Sequence, residues 1–452
     1  MAMFDRFRQS PPGRVALLGL DGVPHSLVQA HAHRFEHLAD LFEAGSATRI
    51  RSVVPPESSA AWASLSTGVN PGETGVYGLV DRETGSYGTY VTASNDVQAP
   101  RVWDRAAEAD RPATVVNVPT TYPPPRNLQR MVSGFLAPDI ERAVHPGGLA
   151  STLRNLGYVI DVDATLGREG DLAAFLEAAY DTLDARFEAF AHFIDLDDWD
   201  LFAGVFMTPD RVNHFLYGQY LEDGPLRDDF LAFYEQLDTY LGALRSRLPD
   251  DVTLLLASDH GFGPLEYEVD ANAWLRSRDW LDYDADEPKV LADVDDRTRA
   301  YALAPGRFYL NLAGREPRGA VAEEEYEVVR AALAEELRDW HGPDGDPVVE
   351  EVLLREDHYR GPHLDLAPDL VALPAPGFDL TASFDPEPAV FRTTPRTGTH
   401  RVEDAFLAID LPDVDLDGVG PYHVAPTVLD LMDVAYERSE FDGASVVGDD
   451  TQ

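Results

Sequence analysis

Apolar residues along this chain fall into two kinds of run that take turns. Short, unbroken apolar runs at Arg14–Leu20, 201–207 and Val252–Ala257 have the length of buried strands, and 48–53, 114–118 and Ala405–Ile409 read the same way. Between them, residues 25–44, 171–194, 226–248 and 425–432 carry apolar side chains at three- and four-residue spacing, which predicts amphipathic helices. Ser58–Thr67 predicts a short helix that opens at the serine and stops at Gly68. Strands alternating with helices predict an α/β fold: a mostly parallel central sheet with helices on both faces. The chain is expected to form one domain over 1–452, with an insertion or accessory subdomain at about 265–360. Within that stretch, residues 267–301 read as a loop-rich acidic insertion, and 319–356 as a helix followed by a short strand.

The polar residues with chemistry to offer are grouped where the apolar runs end. Five motifs hold them: GLDGV with Asp21, ESSAAWASLSTG with Ser58, TPDRVNH with Asp210 and His214, ASDHG with Asp259 and His260, and TGTH with His400. Asp21, Ser58, Asp210 and Asp259 each follow a predicted strand. In open α/β sheets, ligands bind beyond the carboxyl ends of the strands, so these distant motifs would converge at one edge. Asp210 and His214 are four apart, which puts both on one face of a helix. Asp259 and His260 are adjacent and would point apart on a strand, so a turn through Gly261 and Gly263 has to redirect them. Three Asp and three His are oxygen and imidazole ligands enough for two metal ions, and two metals with a hydroxyl form the apparatus of phosphoryl or sulfuryl ester cleavage. A serine at a helix start is an ordinary N-cap; it also sits where backbone N–H groups attract anions. By spacing alone, Ser59 would serve as well as Ser58.

Composition narrows the setting. The 452-residue chain has a formal net charge of -44, with a single lysine, Lys289, among its 36 basic residues. Acids dispersed through helices and loops, with arginine in place of lysine, give the solvating surface of a halophilic protein, and such a charge repels nucleic-acid phosphates. There is no cysteine, so disulfides and thiolate metal sites are excluded. No apolar run reaches the roughly 20 residues of a membrane span. The start of the sequence passes directly into the first strand without a small-residue cleavage site, so it reads as a lead-in and not a signal peptide, and the expected location is cytoplasmic. His25, His31, His33 and His37 lie in one predicted helix and read as its solvated face.

Taken together, GLDGV, PPESSAAWASLSTGVNPGETGVYG, TPDRVNHF, ASDHGFG, FYLNLAGREPRG, APDLVAL and TGTHR resemble the sequence blocks of the alkaline phosphatase superfamily. Within it they are most similar to the type I phosphodiesterase/nucleotide pyrophosphatase family, in an archaeal-type branch. The resemblance covers most of the chain and implies an alkaline-phosphatase-like fold. It assigns Asp21, Ser58, Asp259 and His260 to one divalent metal and Asp210, His214 and His400 to a second. Zinc is implied and manganese is the alternative. Ser58, rather than Ser59, becomes the nucleophile and carries a covalent phosphoryl intermediate. The implied ligand is a small-molecule phosphoester; from charge and apolar-run length no nucleic-acid-binding surface is evident and no membrane partner is expected, and the oligomeric state is open.

Three positions depart from the family pattern. The family usually has Thr in a Thr-Phe-Pro-Asn context, where this chain has Ser58-Ser59-Ala60-Ala61. The Asn that binds a non-bridging phosphoryl oxygen is missing near Leu79, with Asp81 beside it. The common Pro-x-x-His-Gly is Pro71 to Gly75 with Thr74 in place of His. The choice between phosphodiesters or nucleotide pyrophosphates and phosphomonoesters is therefore open. Arg82, Arg392 and Arg396 are candidates for gripping a substrate phosphate, because guanidinium groups bind it bidentately. The alternatives are a mutase resembling cofactor-independent phosphoglycerate mutase, whose large inserted domain is absent here, and a non-catalytic metal-stabilised binding protein. A sulfatase is disfavoured, because Ser58 to Trp62 lacks the Pro and Arg of a formylglycine motif.

Overall fold

The computed structural model describes residues 13–384 and 389–447; the lead-in at 1–12 lies outside the described residues. Eight strands form the central sheet. Their spatial order is Ser46–Ile50, Ala405–Ile409, Val252–Ala257, Arg14–Leu20, Leu201–Phe206, Ala113–Val116, Arg130–Val132 and Val144–His145. From Val252–Ala257 across to Arg130–Val132 every pairing is parallel. Ala405–Ile409 is antiparallel to both of its neighbours, and Val144–His145 is antiparallel at the far edge.

The central strand shows why both faces are covered. Successive side chains of a strand point to opposite sides. Val15 and Leu17 pack with Trp62, Leu65 and Val428, while Ala16, Leu18 and Leu20 pack with Leu27, Phe190 and Leu237. The first face is covered by helices Ser58–Thr67, Val102–Glu108 and Val424–Leu431; the second by Leu172–Asp195, Thr208–Leu221 and Arg227–Arg245. A strand apolar on both sides is the mark of a parallel sheet buried between helix layers. The fold is thus the mixed α/β architecture expected from the alternation of elements.

One predicted helix is broken. Residues 25–44 form two helices, His25–Ala30 and Glu36–Ala44, with a turn between them. Asp238, on helix Arg227–Arg245, accepts hydrogen bonds from the backbone N–H of His37 (3.1 Å) and Leu38 (2.7 Å). This carboxylate from another element satisfies orphan donors at the start of the second helix, and local periodicity cannot show it. As a result, His25, His31, His33 and His37 do not share one helix face.

Beyond the carboxyl edge, strand Gly261–Asp270 pairs antiparallel with Gly398–Arg401 at its start and parallel with Gly377–Thr381 further along. Next to it, Ala300–Leu303, Arg307–Leu310, Leu370–Pro374 and Val349–Leu354 form an antiparallel sheet covered by helix Tyr326–Arg338. These elements share a separate hydrophobic cluster that includes Trp274, Tyr301, Phe308, Leu333 and Trp340. The stretch 267–301 is more regular than its composition suggests: it begins in a strand and contains helix Ala271–Ser277. Among the described residues, no helix is long and apolar enough to cross a membrane.

Candidate active site

All seven sequence-selected residues meet at the carboxyl edge of the sheet. Asp21 directly follows strand Arg14–Leu20, Asp210 lies in the first turn of the helix after Leu201–Phe206, and Asp259 follows Val252–Ala257. Ser58 opens its helix after a connection from strand Ser46–Ile50. His400 precedes its neighbouring strand instead of following it. Because Ala405–Ile409 runs antiparallel, its start lies at the edge where the parallel strands end.

Asp21, Asp259 and His260 form one cluster whose ligand atoms lie within 4.8 Å of one another; Asp210, His260 and His400 form another. His260 Nε2 is 3.4 Å from Asp259 Oδ2 and 3.8 Å from Asp21 Oδ1. His400 Nε2 is 3.0 Å from Asp210 Oδ1 and 3.1 Å from His214 Nε2, and His214 Nε2 is 3.5 Å from Asp210 Oδ1. Ser58 Oγ lies against the first cluster, 3.3 Å from both Asp21 Oδ1 and His260 Nε2.

The backbone sets how the imidazoles present themselves. The Nδ1 atoms of His214, His260 and His400 each lie 3.1 Å from a carbonyl oxygen, of Gly398, Gly261 and Pro56 respectively. A carbonyl accepts and favours the proton on Nδ1, which for His260 leaves the Nε2 lone pair directed into the site, as in metal-ligating histidines; at His214 the Arg396 Nη2 also reaches Nδ1 at 3.1 Å, and at His400 the Asp210 carboxylate faces Nε2 at 3.0 Å. Asp259 Oδ2 is buried without a hydrogen-bond partner. An orphaned carboxylate oxygen beside the His260 lone pair is costly without a cation and fits a metal site.

The electrostatics point the same way. Burial, together with the charges of Asp259 and Asp210, holds the Asp21 carboxyl well above the usual carboxylate range, against the Trp62 N–H that favours its anion. Burial pushes Asp259 up to about 7. Burial also works against ionised Asp210, but His214, His400 and Arg211 outweigh it and hold that carboxyl well below its ordinary value. Burial lowers the pKa of His214 and of His260, disfavouring the imidazolium form of each.

Several supporting residues lie inside the motifs without standing out by type. Trp62 is four residues beyond Ser58, on the same helix face, and its Nε1–H donates to Asp21 Oδ2 at 2.7 Å. Gly19 makes room for that indole, since a Cβ there would sit 2.1 Å from the ring. Arg211 donates to Asp210 Oδ2 (2.8 Å) and is anchored by Asp161 (2.9 and 3.0 Å). Gly22, at φ +66°, turns its N–H toward Asp259 Oδ1 (3.0 Å). At Gly261 the need is close approach, not unusual φ, because a Cβ would lie 1.9 Å from the Glu403 carbonyl oxygen. Glu57 accepts from the Ser59 N–H (3.0 Å) and from the Ser59 hydroxyl (3.3 Å), so Ser59 is engaged away from the cluster that Ser58 faces. Burial raises the pKa of Glu57, while His400, Arg307 and the helix N–H groups favour its ionised form.

The candidate phosphate-gripping arginines are placed differently from one another. Arg82 is buried in an ion pair with Glu316 (3.2 Å). Arg392 is exposed on a strand opposite Glu268. Arg396 is bound to Asp379 (2.7 Å) and Glu268 (3.1 Å), with Nη2 3.1 Å from His214 Nδ1. Asp81, beside the missing family Asn, is buried in an ion pair with Arg307 and accepts from the Tyr77 N–H (2.9 Å).

Solved structures share this architecture. Phosphonoacetate hydrolase from Sinorhizobium meliloti 1021 in complex with phosphonoformate aligns at TM-score 0.60 and 18% identity, covering 94% of this chain and 96% of that one. The same hydrolase in complex with phosphonoacetate gives 0.61 and 17%, with the same coverage of 94% and 96%. Murine ectonucleotide pyrophosphatase/phosphodiesterase 5, as an inactive variant in complex with AMP, gives 0.57 and 13%, over 96% of this chain and 97% of that one. A search of curated proteins finds no significant match. Residues 15–402 match the type I phosphodiesterase / nucleotide pyrophosphatase family, a metal-dependent group, and the chain belongs to that family as a phosphoester hydrolase.

Proposed function

We propose that this enzyme cleaves phosphodiester or nucleotide pyrophosphate bonds by two successive displacements at Ser58. The observation that carries the reading is the placement of the Ser58 hydroxyl, 3.3 Å from both Asp21 and His260, while Ser59 is held by Glu57. Asp21, Ser58, Asp259 and His260 would hold one divalent ion, and Asp210, His214 and His400 the other. Oxygen and neutral imidazole donors without thiolate suit zinc, with manganese as the alternative. Two such ions, when bound, supply Lewis-acid charge that lowers a hydroxyl pKa and stabilises charge developing on the phosphoryl oxygens.

The chain's own residues do the rest. Helix Ser58–Thr67 aims the attacking oxygen, and Trp62 and the Gly22 N–H fix the carboxylates beside it. Ser58 Oγ displaces the leaving alcohol or phosphate and becomes esterified; water then cleaves the phosphoserine. The accessory elements at about 265–360, whose strand Val349–Leu354 brings Glu350 and Glu351 to a small cleft beside His400, are the proposed source of substrate selectivity. The acidic surface suits work at high salt.

The test is turnover of bis-p-nitrophenyl phosphate and p-nitrophenyl phosphate at high salt with added zinc or manganese. Wild type is expected to prefer the diester, and Ser58→Ala to lose turnover while retaining metal. A fully metallated, active Ser58→Ala protein would falsify the nucleophile assignment.

A further inference from the structure

We propose that Asp161 is a positioning residue for the Asp210 half of the site: acting through Arg211, it holds the Asp210 carboxylate in the orientation that turns Oδ1, and not Oδ2, toward His214 and His400. The inference rests on the reading of Asp210, His214 and His400 as one ion's ligands and deepens it, because Asp161 lies outside every motif that marks the site.

The chain of contacts from Asp161 to the site is continuous. Arg211 Nε and Nη2 both donate to Asp161 Oδ2, at 3.0 and 2.9 Å. Arg211 Nη1 donates to Asp210 Oδ2 at 2.8 Å. A guanidinium is planar and its N–H groups diverge in a fixed fork, so gripping one edge aims the other. The Phe135 ring covers a face of the group, its centroid 5.5 Å from the guanidinium carbon. With Oδ2 occupied in this way, Asp210 Oδ1 is the oxygen that lies 3.0 Å from His400 Nε2 and 3.5 Å from His214 Nε2.

Asp161 is itself held by contacts that sequence periodicity does not show. Residues 158–163 form neither helix nor strand. Arg186, fully buried on helix Leu172–Asp195, ties them down. Its Nη2 donates to the carbonyls of Val159 (3.0 Å) and Ile160 (2.7 Å), and its Nη1 donates to the Tyr158 hydroxyl. The two Asp161 oxygens then divide their tasks: Oδ1 accepts from the Val162 N–H at 2.9 Å, and Oδ2 faces Arg211. Partners that orient a metal-ligating carboxylate act on metal affinity, so the signature of Asp161 is the affinity of one ion out of two.

The experiment measures zinc and manganese affinities by competition with a chelator, and His400→Ala identifies the ion held with Asp210 and His214. Asp161→Asn keeps the size of the side chain but leaves one oxygen for N–H groups that now share two. Asp161→Ser serves if the Asn variant does not fold. The affinity of the Asp210 ion is expected to fall about tenfold, while the other ion and the melting temperature of the metal-free protein stay nearly unchanged. In an Arg211→Met background the same substitution is expected to add nothing, because its route to Asp210 is already cut. An additive effect there, or an equal loss for both ions, overturns the proposal. A lower metal-free melting temperature with both affinities unmoved makes Asp161 a loop tether only and overturns it as well. A wild type that binds fewer than two ions overturns the two-ion reading, and this inference with it. A wild type with two ions whose affinities Asp161→Asn leaves alone overturns the inference alone.

Discussion

His214 and His400 face each other through their Nε2 atoms, 3.1 Å apart, and both lie within 3.5 Å of Asp210 Oδ1. Their Nδ1 atoms lie 3.1 Å from the carbonyls of Gly398 and Pro56, so each ring turns its Nε2 inward. Two imidazole nitrogens and a carboxylate oxygen converging at these distances form a donor set that a metal completes. His400→Ala removes one of the two imidazoles and leaves Asp21, Asp259 and His260 in place. The expected result is loss of about one bound ion per chain by elemental analysis, and a fall in turnover of about a thousandfold, equivalent to ~4 kcal/mol of transition-state stabilisation.

Metal uptake should release protons in a pH-dependent way. In the metal-free protein Asp259 titrates at about 7, against 3.8 for an ordinary Asp, and Asp21 is raised in the same direction. A folded-state pKa raised above the unfolded value means that the fold favours the neutral acid. That contribution to stability is full below about pH 4 and is lost as pH rises through about 7. A metal binds the anion, so below 7 it must displace the proton. Calorimetry in buffers of different ionisation enthalpy is expected to show more protons released at pH 6 than at pH 8, with apparent metal affinity falling as pH drops through 7. Equal proton release at the two values would count against this assignment.

Gly19→Ala is expected to weaken metal binding without touching a ligand. The added methyl meets the Trp62 ring at 2.1 Å and Val205 at 2.8 Å, and the indole can yield only by leaving Asp21. Overpacking of this kind costs about 1–3 kcal/mol. Loss of a hydrogen bond that orients a metal ligand costs roughly 10–100-fold in affinity. Trp62→Phe removes the hydrogen bond without the crowding, so it should reproduce the affinity loss with less effect on melting temperature.

Much of this site is legible in sequence because the chemistry follows the sheet. A parallel strand ends in a loop at one edge, so Asp21, Asp210 and Asp259 announce themselves as polar residues closing apolar runs, and Asp210 with His214 shows helical spacing. His400 is harder to place: the direction of Ala405–Ile409 sets its position, and an apolar run of five does not reveal direction. Which of the two serines faces the cluster is invisible to spacing: Ser58 does, and Ser59 is engaged by the Glu57 side chain. The break in residues 25–44 depends on Asp238, about 200 residues away. Side-chain polar contacts of this kind leave no periodic trace, which is also why the arginines are the least readable residues.

Arg82 illustrates the point and carries the last prediction. Its guanidinium is buried beside Glu316, over the ring of Tyr309, and bound to the Asp365 carbonyl. Glu316 has other partners: Arg315 at 2.9 Å, the Tyr301 hydroxyl at 3.1 Å and the Leu312 N–H at 2.9 Å. The two members of the pair are therefore unequal. Arg82→Met leaves Glu316 well compensated, whereas Glu316→Gln strands a buried arginine, and an uncompensated buried charge costs about 3–5 kcal/mol. Thermal unfolding at fixed salt should show the larger loss for Glu316→Gln, and a double variant less destabilised than the sum of the two. If Arg82 instead gripped a substrate phosphate, Arg82→Met would raise KM with little change in melting temperature, and that outcome would move it from the accessory sheet's framework to the active site.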